Sequence, residues 1–80
     1  MAQEAKYIKF EEKYGNTYIV IFPNFITHFD MAQKMRDAAI SAGFVRIDDA
    51  GNAVCYGEST SLELKSEDED SALANRMLGK

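Results

Sequence analysis

The segment Thr17-Tyr18-Ile19-Val20-Ile21-Phe22 constrains this chain most, because it is β-branched or aromatic throughout and apolar on both faces in its second half. Such a run fits an extended strand buried on both sides, which predicts a central strand rather than an edge one. Pro23 removes a backbone donor and should end the ladder. Ahead of the run, Gly15 and Asn16 tolerate the positive φ that a tight hairpin turn needs. Tyr7-Ile8-Lys9-Phe10-Glu11 alternates, so it reads as the partner strand with Ile8 and Phe10 on the buried face. Residues 1–6 are expected to form a flexible N-terminal tail.

A helix should follow. Thr27 can cap free amides, with Asp30 three residues on in capping-box position. Ala32, Met35, Ala39 and Ala42 recur at helical spacing, flanked by Met31 and Ala38. Gly43 then stands where a left-handed C-cap belongs. These signals predict a helix over 28–42, with the methionines as core material.

Phe44-Val45-Arg46-Ile47 predicts a third strand and Asp49-Ala50-Gly51-Asn52 a second hairpin turn. Ala53-Val54-Cys55-Tyr56 predicts a fourth strand, ended by Gly57. Leu62 and Leu64 alternate with Ser61 and Glu63, which fits a short fifth strand or a bent continuation of the fourth. A second helix follows. Ser66 with Glu69 matches a capping box, and Glu67 to Asp70 place carboxylates at the positive end of the helix dipole. Leu73, Ala74, Met77 and Leu78 form the apolar stripe, and Gly79 can cap the end. The expected class is therefore α+β, one domain over residues 1–80. An antiparallel sheet of four or five strands carries two helices on one face, in the order β-β-α-β-β-(β)-α.

Eighty residues make one domain, and a chain this short buries only about 60% of the surface it exposes unfolded. Cys55 is the sole cysteine, so no internal disulfide is possible and a reducing cytoplasm is expected. Met1 to Lys6 has no apolar signal-peptide core, and the longest apolar run falls far short of a membrane span. The net charge of -4 lies wholly in residues 44–80, where eight acidic side chains outnumber four basic ones. An acidic surface is repelled by phosphate backbones, which argues against direct DNA or RNA binding.

Few residues offer chemistry. His28 is the only histidine, so no histidine cluster can hold a metal within one chain. As a general base it would need Cys55 or a loop hydroxyl such as Ser59 for its nucleophile. Against that, Cys55 sits mid-strand, where a buried, unreactive thiol is the usual finding. Gly57-Glu58-Ser59-Thr60-Ser61 lacks the glycines and lysine of a phosphate loop, so it reads as an irregular hydroxyl-rich connection. Glu67, Asp68, Glu69 and Asp70 lack the alternating oxygens of a calcium loop. They read instead as a solvated helix start or, with Tyr18, as a partner surface that mimics nucleic-acid phosphates toward a DNA- or RNA-binding protein. No cofactor is implied.

Phe22-Pro23-Asn24-Phe25-Ile26-Thr27-His28-Phe29-Asp30-Met31-Ala32, Ser41-Ala42-Gly43-Phe44-Val45, Tyr56-Gly57-Glu58-Ser59 and Ser61-Leu62-Glu63-Leu64-Lys65-Ser66 form successive blocks. Together they resemble an uncharacterised family of small bacteriophage and prophage proteins, over about residues 17–79. Residues 33–40 depart most from its pattern. The resemblance implies a mobile-element origin, a bacterial host cytoplasm and no particular activity. The expected function is that of a non-enzymatic accessory protein acting by protein–protein binding on a host or phage factor. The alternatives are a small enzyme built on His28 with Cys55 or a loop serine, and a structural phage component. A homodimer is also expected, because helices on one sheet face would leave the other exposed.

Overall fold

A computed structural model describes residues 4–79. The class is as expected: α+β, with a four-stranded antiparallel sheet, a second small sheet and two helices. Strands β1 (Ala5–Glu11), β2 (Thr17–Phe22), β3 (Ala38–Ile47) and β4 (Ala53–Tyr56) run in the order β2-β1-β3-β4. Helix α1 (His28–Gln33) joins β2 to β3. Beyond Gly57, β5 (Glu58–Ser59) pairs with β6 (Leu64–Lys65), and α2 (Asp70–Met77) ends the fold.

Two hairpins are built by one piece of turn chemistry. The Gly15 amide donates to the Glu12 carbonyl at 2.9 Å, and the Glu12 amide to that of Asn16 at 2.7 Å. Gly51 repeats the pattern with Asp48 and Asn52, and both glycines have positive φ (+89° and +84°). This is a type I turn closed by a glycine bulge, a connection that preserves strand twist. Asp48 Oδ1 reinforces the second turn by accepting from Ala50 and Asn52 amides.

The structure corrects the helix expected over 28–42. Only His28–Gln33 is helical, with Thr27 capping the Asp30 amide as read, while residues 38–42 extend β3. The alanines that mimicked a helical stripe pair with β1, Ala42 opposite Ile8 and Ala39 opposite Phe10. Alanine favours helix by well under 1 kcal/mol per residue, which strand pairing overrides. Ile40 is the extra residue of a bulge between these pairs. Gly43 is no helix cap. It lies in mid-strand opposite Tyr7, where a Cβ would stand 2.4 Å from the Tyr56 carbonyl oxygen.

A second correction concerns β2, which is an edge strand rather than a central one. It is apolar on both faces because both sheet faces are covered, so the helices do not share one. On one face Tyr7, Ile19, Val45 and Ala53 pack against Ala74 and Leu73 of α2. On the other, Ile8, Phe10, Phe22 and Ala42 pack against Met31, Ala32 and Met35 around α1, with Ile26, Leu62 and Leu64. Tyr7 belongs to the core, and the uncovered sheet face on which the expected homodimer rested is covered by α2 on one side and α1 on the other. Of the expected N-terminal tail, Ala5 and Lys6 belong to β1; residues 1–3 lie outside the described residues.

Gly43→Ala tests the tight β3–β4 approach. The added methyl meets backbone, so the strand must shift, and a loss of roughly 1–3 kcal/mol is expected. Urea unfolding of the two proteins measures it, and an unchanged midpoint would contradict the close contact.

Candidate functional site: a buried lysine clasp

The charged centre of the molecule is Lys9. Alternation along β1 turns Ile8 and Phe10 to the α1 face, and so sends Tyr7 and Lys9 under α2. Lys9 is 1% exposed. Its ammonium has three protons to donate. It meets Glu67 Oε1 at 2.7 Å, Asp70 Oδ1 at 2.7 Å and Glu69 Oε1 at 3.0 Å.

Asp70 is the inner half of the clasp and is fully buried at the first residue of α2. Its Oδ2 accepts from the Tyr7 hydroxyl at 2.6 Å, the Ser41 hydroxyl at 2.8 Å and the Glu67 amide at 3.0 Å. The last bond reaches back over one turn as a capping-box carboxylate does. The expected Ser66–Glu69 box is therefore corrected: Glu69 is the N-cap and makes no side-chain cap bond, and Asp70 does the reaching back. Ser41 stands opposite Lys9 as the last pair of the regular β1–β3 register before the bulge, and so lies within reach of Asp70.

The electrostatics follow from this geometry. Burial opposes charge on Lys9, but its hydrogen bonds to Asp70, Glu67 and Glu69 outweigh burial and hold its pKa above the ordinary lysine value. Burial likewise opposes charge on Asp70, and the bonds from Lys9, Tyr7, the Glu67 amide and Ser41 hold its pKa below 3.8. Tyr7 is pushed up by burial and by donating to the Asp70 carboxylate. Glu67, Glu69 and Asp70 bring carboxylate oxygens within 4.8 Å of one another, a spacing that suits a cation. Lys9 Nζ fills that place, so the cluster carries its counter-charge as a side chain. A lysine held charged this firmly is a poor nucleophile or base.

The other candidate residues are not brought together. His28 opens α1 and is buried on the α1 face, its ring edge-on to Phe22 and Phe44. Its Nε2 donates to the Gly43 carbonyl at 2.8 Å, and burial pushes its pKa below 6.5. Cys55 packs on the opposite, α2 face. Burial pushes its thiol up to about 11, which keeps it protonated and inert. Ser59 is buried in β5, where its Oγ accepts from the Leu62 amide at 3.3 Å. The sheet thus separates His28 from Cys55, and no nucleophile–base pair forms from the three.

The acidic run is only partly the solvated surface expected. Asp70 is buried and Glu67 and Glu69 hold Lys9, while Asp68 is exposed. Tyr18 is half-buried, stacked on Phe10, and its hydroxyl donates to Asp37 Oδ2 at 2.7 Å. That bond pushes its pKa up to about 12. Gly57 to Ser61 passes into the β5–β6 hairpin, whose outer groove is lined by Glu58 and Glu63 beside Lys65 and so disfavours an anion. Among the described residues, no helix is long and apolar enough to cross a membrane.

Sequence reading missed Lys9, because it placed only Ile8 and Phe10 on a buried face. A lysine sharing a strand face with Tyr7, in a chain holding four consecutive carboxylates, was the available signal. Comparison with protein families, curated proteins and solved structures finds no significant match.

Two outcomes are expected. Lys9→Met leaves Asp70 buried without its cation and should cost about 3–5 kcal/mol. The double variant Lys9→Met with Asp70→Asn should lose less than the sum of the single losses, by roughly 0.5–3 kcal/mol. Urea unfolding of all four proteins checks this, and strict additivity would show that the pair does not interact. The second outcome concerns pH. Lowered pKa values mean that His28 contributes stability above pH 6.5, and Asp70 above 3.8, each lost as pH falls through its folded value. The Lys9 contribution, with its pKa raised, is present below 10.5 and lost as pH rises past the folded value. Unfolding midpoints should therefore fall in two acid steps, and His28→Gln should remove the first alone.

Proposed function

We propose that this chain is a small non-enzymatic accessory protein of the bacteriophage type, acting by binding another protein. The observation that carries the reading is an aromatic patch beside α1. Phe25 is 75% exposed and Phe29 48% exposed, next to a shallow cleft of about 540 Å³ lined by Phe25, Ile26, Asp30, Gln33 and Lys34. Exposed aromatics rimmed by polar groups are the usual make-up of a protein-binding anchor. The patch also falls within the longest of the blocks that resemble phage proteins, residues 22–32. The separation of His28 and Cys55 across the sheet speaks against one of the pairings, His28 with Cys55 or with a loop serine, on which the enzyme alternative draws. A partner recognising the acidic run would find Asp68 unencumbered, but Glu67 and Glu69 already engaged by Lys9.

Self-association is the second reading, and with both sheet faces covered it too would draw on the patch. The test compares the wild type with Phe25→Ser/Phe29→Ser as bait in a bacterial host lysate, alongside Asp68→Asn. The aromatic double variant should keep its stability within about 0.5 kcal/mol, as exposed substitutions do, and lose the captured partner. Asp68→Asn should keep it. Equal capture by both variants would remove the aromatic patch from the proposal. Sedimentation of the same proteins separates a foreign partner from a second copy.

A further inference from the structure

The outer edge of β4 is closed in an unusual way. Ala53 and Cys55 direct backbone groups away from β3, where a neighbouring strand would sit. The Ala53 amide instead donates to Asn75 Oδ1 at 2.7 Å, and Asn75 Nδ2 donates to the Ala53 carbonyl at 3.0 Å. The Cys55 amide donates to Ser71 Oγ at 2.8 Å. Ser71 and Asn75 stand one turn apart on α2, and Asn75 Nδ2 is steadied by the Ser71 carbonyl at 2.8 Å. A carboxamide offers one donor side and one acceptor side, as a peptide group does. At the far edge of the sheet, the Ile19 amide of β2 points to Met77 Sδ at 3.2 Å. One short helix therefore covers donors on both edges.

We propose that Ser71 and Asn75 stand in for a fifth strand, and that the β4 edge they cover accepts β4 of a second copy when they are absent. Ala53-Val54-Cys55-Tyr56 carries no charge and no proline, the residues by which natural edges repel strand addition. Protection therefore rests on α2. A second copy is the fitting occupant because an antiparallel pairing of β4 with itself is two-fold symmetric. It sets Ala53 of one copy opposite Cys55 of the other, and it closes at two chains.

The test is sedimentation of wild type and Ser71→Ala/Asn75→Ala over a concentration series, with amide exchange followed at Ala53 and Cys55. The double variant should associate at least roughly tenfold more tightly than wild type. Its Ala53 and Cys55 amides should be protected in the two-chain species and exchange quickly on dilution. Adding Ala53→Pro, at the first residue of the strand where proline is tolerated, removes the outward donor and should return association to the wild-type level. A double variant that stays a single chain with fast amides overturns the proposal. So does a dimer whose Ala53 and Cys55 amides exchange freely, which would be assembled elsewhere, as on Phe25 and Phe29. If the double variant fails to fold, Ser71→Ala alone decides: Cys55 protection that rises with concentration supports the masked edge, and protection independent of concentration refutes it.

Discussion

The ion pair between Lys9 and Asp70 is what the rest of the molecule is arranged around. Two buried charges cost more to desolvate than a mediocre contact returns, so a site of this kind survives only with close pairing and further hydrogen bonds around it. Here the ammonium sits against three carboxylates, and the ion pair with it is what answers the buried Asp70 Oδ1. Asp70 in turn takes two hydroxyls and an amide from three separate parts of the chain. Tyr7 comes from β1, Ser41 from beyond the β3 bulge, and the Glu67 amide from the turn before α2. The pair therefore joins the middle of the sheet to the start of the last helix, across about sixty residues of sequence. An apolar contact there could have supplied similar stability. It would not have fixed which turn of α2 sits over which residue of β1, because hydrophobic burial has no direction.

That registration has consequences along the helix. With Asp70 seated over Lys9, Ala74 lands one turn on against the core of Tyr7, Ile19 and Val45. Ser71 and Asn75 then overhang β4, while Leu73 and Met77 lie toward β2. A slip of one residue would carry Asn75 away from Ala53 and leave backbone donors unanswered. The α1 face works differently. It is packed by aromatic and methionine side chains around a neutral His28, whose ring bonds the Gly43 carbonyl. One face of the sheet is registered by charge and the other is filled by shape.

How much of this was legible follows from the range of each interaction. Both hairpin turns and the bounds of β2 and β4 were readable, because glycine and asparagine at a turn act on their immediate neighbours. The Thr27 cap was readable for the same reason. Residues 38–42 were not. Alanine fits a helix face and a crowded strand equally well, and what decides between them is β1, some thirty residues earlier. The edge position of β2 was hidden by its apolar outer face, which reflects two covered sheet faces rather than two neighbouring strands. Lys9 was the least legible of all. In sequence it is an ordinary polar position between Ile8 and Phe10, and its burial depends on carboxylates that arrive only at the far end of the chain. The acidic run is visible in sequence but reads there as a solvated helix start or a partner surface, because its counter-charge lies in a different element.

The division of labour within α2 explains how so small a chain can dispense with disulfides. Eight residues are too few for a stable isolated helix, for which roughly 12–15 are needed even in favourable sequences. The helix is therefore held by what it touches. Its side chains take separate tasks: Asp70 neutralises Lys9, Ala74 closes the core, Ser71 and Asn75 complete β4, and Met77 shields β2. Each task is one the sheet could not perform alone, since a four-stranded sheet has two bare edges and, in this sequence, a buried cation. Stability and protection from strand addition are thus supplied by the same eight residues. Whatever loosens the Lys9–Asp70 contact weakens the core and uncovers the edges together, which couples the folding of this domain to its freedom from self-association.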